Sequence, residues 1–110
     1  MIKKTMKEIK ARIKQKGAVT DKTKSELLDL LATLETEIGK LSKTDSEHAE
    51  SIAGFIQRSA HEATRKTKRP ELLKISLAGL AESVRGFEAS HPALVAKIND
   101  ICAALANMGV

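Results

Sequence analysis

Apolar residues recur at spacings of three and four along most of the chain, with polar residues filling the gaps. That rhythm is the signature of amphipathic helices, and no run alternates with the period of two that marks a strand. Ile2, Met6, Ile9 and Ile13 predict a first helix over about 2–16, stopped by Gly17. Leu27, Leu31, Leu34, Ile38 and Leu41 predict a second, capped by Thr20 or Asp21 and widened by Leu28 and Leu30. Thr44, Asp45, Ser46 and Glu47 fit a capping box, a hydroxyl followed three residues later by a carboxylate. They open a third helix carrying Ala49, Ile52, Ile56, Ala60 and Ala63. Lys68, Arg69 and Pro70 mark a break before a fourth stripe of Leu73, Leu77, Leu80, Val84 and Phe87. Ser90, His91 and Pro92 start the fifth helix, because a proline in the first turn loses no intrahelical bond. Its stripe is Leu94, Ile98, Ile101, Leu105 and Met108, with Gly109 as the stop.

No stripe runs unbroken into the next, since Lys16, Thr20 and Thr23 would put polar residues in a continuous seam. The pattern predicts an all-α fold: a compact bundle of about five helices with coiled-coil-like packing in residues 1–110, read as a single helical domain. Within it, a basic N-terminal helix (about 2–16) precedes a helical bundle (about 20–109). The second to fourth helices are expected at about 30 Å each, at 1.5 Å per residue. The fourth carries a further stripe, Ser76, Gly79, Ser83 and Gly86, beside its apolar one. Glycine inside a helix costs about 1 kcal/mol relative to alanine. Two of them in this stripe predict the close approach of another helix, the alanine-rich third being the expected partner. A plainer reading lets Gly86 simply end the helix, against which Phe87 continues the apolar stripe past it. The broad apolar faces of the second and fifth helices exceed what a small monomer readily covers. The bundle is therefore expected to close either within one chain or by dimerisation.

Composition narrows this picture. Phe55 and Phe87 are the only aromatic residues in 110, with no Trp or Tyr, so the core is aliphatic. Cys102 is the sole cysteine, placed on the flank of the last stripe as a buried structural thiol, which excludes an intramolecular disulfide. No apolar run reaches the ~20 residues of a membrane span, and the basic start lacks the apolar stretch of a signal peptide. A cytoplasmic protein is expected.

Charge is segregated rather than mixed. Residues 1–24 hold nine Lys or Arg against two acids, a net of +7. Residues 25–64 hold three against eight, a net of −5, and residues 65–110 hold seven against four, a net of +3. Two basic clusters follow as candidate interaction residues: Lys3, Lys7, Lys10 and Lys14 on the first helix, and Arg65, Lys66, Lys68 and Arg69 at the later break. A basic amphipathic helix can meet nucleic acid or an anionic membrane surface. The plainer reading is a solvated outer face whose apolar stripe packs on the second helix. For the second cluster, positive charge at a helix C-terminus is already explained by the helix dipole.

Little else points to chemistry. His48, His61 and His91 are scattered, and the run from His61 to Arg65 lacks the second histidine of a zinc-protease motif. The six glycines form no phosphate loop, and no hydroxyl has a local acid–base arrangement. No enzyme, cofactor or metal is expected. Residues 77–99 have the outline of a DNA-reading helix-turn-helix. However, Glu82 stands where a small residue is wanted, and Lys97 is the lone strong cation of the candidate reading helix.

The closing segment, Phe87 to Val110, reads FEASHPALVAKINDICAALANMGV. Its Phe-Glu pair, Ser-His-Pro run and terminal Gly-aliphatic pair resemble the ending of a bacterial family of short helical proteins, domain of unknown function 4404. The stretches His61 to Arg65 and Leu27 to Leu41 are also similar. The resemblance implies a helical fold and a bacterial source, and it transfers no catalytic residue because the family has no established activity. The reading reached from the residues is a non-enzymatic helical protein acting through self-association, a dimer first, or through an unidentified protein partner. The alternative is a basic accessory protein that binds nucleic acid or an anionic membrane through the first helix and the Arg65–Arg69 cluster.

Overall fold

The computed structural model describes residues 2–15 and 20–108. It contains five helices: α1 (Ile2–Gln15), α2 (Asp21–Ser42), α3 (Ser46–Ala63), α4 (Pro70–Ser83) and α5 (Pro92–Met108). The stops expected at Gly17 and Gly109 lie outside the described residues, as does Lys16. The described residues contain no strand.

Local chemistry sets the helix starts. Thr20 caps α2, its Oγ1 accepting the Thr23 backbone N–H at 3.2 Å. At α3 the expected capping box is corrected. The Thr44 hydroxyl donates to the Leu41 carbonyl at the end of α2, and Thr44 stands one residue ahead of the cap position. Asp45 caps instead, accepting the His48 N–H at 3.1 Å. A carboxylate there also suits the positive end of the helix dipole. Pro70 and Pro92 occupy first positions, as their fixed φ and missing N–H require.

α3 is the hub of the bundle and touches all four other helices. α1 lies against α2 and α3, α4 against α3 and α5, and α5 against α2, α3 and α4. Among the described residues, α1 makes no contact with α4 or α5. Every stripe residue named for α2 is buried, as are Leu94, Ile98, Ile101 and Leu105 of α5. The core-facing stripes of α2 and α5 are thus covered within one chain, while Leu28, Leu30, Val95 and Met108 beside them are half-buried. Small side chains on α3 make this possible: Ala49, Ala53, Ala60 and Ala63 are all buried, which lets neighbouring helices approach closely. α1 docks rather than trailing free, with Met6, Ile9 and Ile13 buried in the shared core.

The glycine stripe of α4 divides into two roles. At Gly79 a Cβ would lie 2.5 Å from Phe55 Cε1, so the close approach is real. The Phe55 ring, rather than an α3 backbone, fills the space. Gly86 has no such neighbour; its φ of +97° places it in the left-handed region that ends a helix. α4 stops at Ser83, so Phe87 lies beyond the helix, though it still packs against the shared core. With 14 residues, α4 is shorter than the 22-residue α2 and does not match it in length.

Candidate functional site

The two basic clusters meet different fates, and the geometry of α1 explains the first. At about 100° per residue, Lys3, Lys7, Lys10 and Lys14 fall within roughly 60° of one another. They form a row on the flank that faces α2, beside the buried face of Met6, Ile9 and Ile13. Lys3, Lys7 and Lys14 are exposed, whereas Lys10 is half-buried and pairs with Glu35 of α2 at 2.8 Å. Lys3, Lys4, Lys7, Lys10 and Glu35 border an open depression of about 500 Å³. Lys24 of α2 donates to the Lys14 carbonyl at 3.1 Å, occupying an acceptor in the last turn of α1.

The opposite flank of α1 faces α3. There Gln57 donates to Glu8 at 3.0 Å, and Arg12 Nε donates to Thr64 Oγ1 at 2.7 Å. That second bond joins α1 to the turn carrying Arg65, Lys66, Lys68 and Arg69, across 52 positions of sequence. The two clusters therefore lie close together at the C-terminal end of α1, though the lysine row and the turn sit on different flanks.

Within the turn, Arg65 and Lys68 are engaged by the fold. Arg65 Nη1 donates to Glu62 Oε1 at 2.9 Å, and Glu62 is only 4% exposed. Arg58 Nη1 lies 3.6 Å from the other Glu62 oxygen, and His61 Nε2 lies 3.9 Å from it. Lys68 Nζ donates to the Ala63 carbonyl at 2.9 Å, at the end of α3. Lys66 and Arg69 are exposed. The residue missed by sequence reasoning is Glu62. Its signal is present in the chain, an acid with arginines four before and three after it.

Other candidate groups resolve into structural roles. His48 and His91 each set an imidazole edge-on to Phe87, with ring centroids 5.0 and 6.0 Å away, tying the start of α3 to the α4–α5 connection. His48 Nδ1 also lies 3.2 Å from the Asp45 carboxylate. Cys102 is half-buried rather than fully buried, and desolvation raises its thiol pKa above the ordinary value, away from the reactive thiolate. Ser59 is fully buried on α3, and its Oγ has no hydrogen-bond partner. Among the described residues, no group of three or more His, Cys, Asp or Glu could hold a metal ion. None of the described helices is long and apolar enough to cross a membrane.

One apolar feature stands apart from the charge. Ile75, 68% exposed, and Phe55, 39% exposed, are the large apolar side chains left open. Ile75 lies one turn before Gly79, over which Phe55 packs, so the two share a face of the α3–α4 pair. α3 separates this face from α1.

These features define a small all-α bundle with a row of exposed lysines along α1. A family profile described as "Domain of unknown function (DUF4404)" matches residues 27–110, and the chain belongs to that family. The match takes in α3, α4, α5 and most of α2, with α1 preceding it. No curated protein and no solved structure matches the chain.

Proposed function

We propose that this is a non-enzymatic cytoplasmic binding protein that engages a polyanionic partner through the basic surface of α1. The observation that carries this reading is the burial of Met6, Ile9 and Ile13 in the shared core. Burial of that face anchors α1 to the bundle and leaves Lys3, Lys7 and Lys14 exposed on a rigid flank. It also means that α1 has no apolar stripe left to insert into a bilayer, so the attraction is electrostatic. Arg12, held by Thr64, extends the positive surface toward Lys66 and Arg69. The test is retention on a polyanionic matrix as salt is raised. The combined variant Lys3→Gln/Lys7→Gln/Lys14→Gln should elute at markedly lower salt than wild type. A charge-matched control, Lys40→Gln/Lys74→Gln/Arg85→Gln, should elute close to wild type. Equal loss in both variants would reduce the effect to net charge and sink the reading.

A second reading, contact with a protein or with another copy of the chain, is favoured by the exposed Phe55 and Ile75. It predicts a sedimentation coefficient that rises with concentration, and Ile75→Glu should abolish that rise. A concentration-independent monomer would remove the self-association form of this reading.

A further inference from the structure

We infer that the polyanion is double-stranded nucleic acid, gripped along its phosphate backbone without regard to sequence by the Lys3–Lys7–Lys10–Lys14 row. This rests on the basic-surface reading above and deepens it. The row spans about 16 Å, since 1.5 Å separates successive residues of a helix. Over that length a duplex presents one phosphate per about 3.4 Å of axis on each strand. A straight row on a helix packed into a core therefore matches a straight, stiff rod of charge. Flexible lysine stems absorb the difference in pitch.

Two observations favour a duplex over other polyanions, and a third bears on sequence preference. Single strands are held largely by stacking bases on aromatic rings. Here there is no Trp or Tyr; Phe55 lies over Gly79 on the α3–α4 face, and Phe87 lies between His48 and His91. An anionic membrane is gripped most firmly when apolar side chains enter it beside the charges. The exposed apolar pair, Phe55 and Ile75, sits instead on the α3–α4 face, which α3 separates from the row. Finally, the row is all lysine, flexible point charges suited to phosphate, and holds none of the planar Asn, Gln or Arg groups that pair bidentately with bases. Phosphate contact without sequence preference is what such a surface supports.

The pairing of Lys10 with Glu35 gives the row an internal calibration. Lys10 is already partly neutralised, so three lysines make full phosphate contacts. The logarithm of the association constant against that of salt concentration should then fall with a slope of about −3, at roughly −0.9 per contact.

The experiment titrates the full chain with a short mixed-sequence DNA duplex, the matching single strand, and vesicles containing phosphatidylserine, each over a series of salt concentrations. Duplex binding with the stated slope, unchanged on scrambling the sequence and tighter than to the single strand, is the expected result. Each of Lys3→Gln, Lys7→Gln and Lys14→Gln should make the slope shallower by about 0.9 while leaving the helical circular dichroism intact. Vesicle binding without duplex binding would overturn this inference and leave the basic-surface reading standing. Binding to neither would remove both. Single-strand binding as tight as duplex binding, or slopes indifferent to the three substitutions, would also overturn it.

Discussion

The lysine row of α1 and the Arg65–Arg69 turn look alike in sequence: each is a short run with cations at close spacing. In the fold they differ in what faces them. The row flanks a helix whose neighbours are α2 and α3, and only Lys10 meets an acid there, Glu35. The turn closes over the end of α3, where the buried Glu62 takes Arg65 and the Ala63 carbonyl takes Lys68. Three of four cations are displayed in the row, whereas two of four in the turn are built into the fold. A run of charge therefore says little about availability until the carboxylates and carbonyls within its reach are known.

The comparison can be broken most forcefully by attacking the anchor of the row. Ile9→Ala should destabilise the protein by about 2–5 kcal/mol, the usual range for emptying a packed aliphatic site, measured as a lower urea midpoint. An unchanged midpoint would make α1 a detachable arm and remove the rigid row. Next in size is Arg65→Met, which takes the nearest cation from a buried carboxylate. Its expected cost is about 2 kcal/mol, between the limits for exposed and fully buried pairs, because Arg58 still offers partial compensation. A loss below the noise would show that the turn cluster is as free as the row. Ser59→Ala removes an orphaned buried hydroxyl beside that turn and should raise stability by about 1 kcal/mol in the same denaturation assay. Lys10→Gln should cost less than about 1 kcal/mol, and less still at high salt, since its ion pair is only half-buried. Smallest of all, Lys7→Gln should leave the midpoint unmoved. A clear destabilisation there would mean that the displayed row is structural too.

Much of the fold was legible along the chain because helix formation is a local matter. Stripes at three and four spacing located all five helices, and Thr20, Pro70 and Pro92 marked three of the starts. The errors came where two local signals competed for one group. Thr44 had the chemistry of a cap, but it sits one residue early with its hydroxyl on the Leu41 carbonyl, and Asp45 took the role. Gly79 and Gly86 had the same spacing signal; only the Phe55 ring above one and the positive φ of the other separated packing from turning.

The candidate site was legible as composition but not as a surface. The cations could be named, yet their division into two flanks depended on which face of α1 the core would claim.

By itself, then, the sequence determined an all-helical chain with an aliphatic core, a basic start and no local catalytic motif, because side-chain periodicity and backbone sterics act within a few residues. The tertiary structure decided the rest. It buried the core-facing stripes of α2 and α5, joined Arg12 to Thr64 across 52 positions, and buried Glu62 beneath its arginines. Those outcomes depend on the shapes and charges of distant segments meeting in space, where burial and pairing are settled by what each side chain finds opposite it.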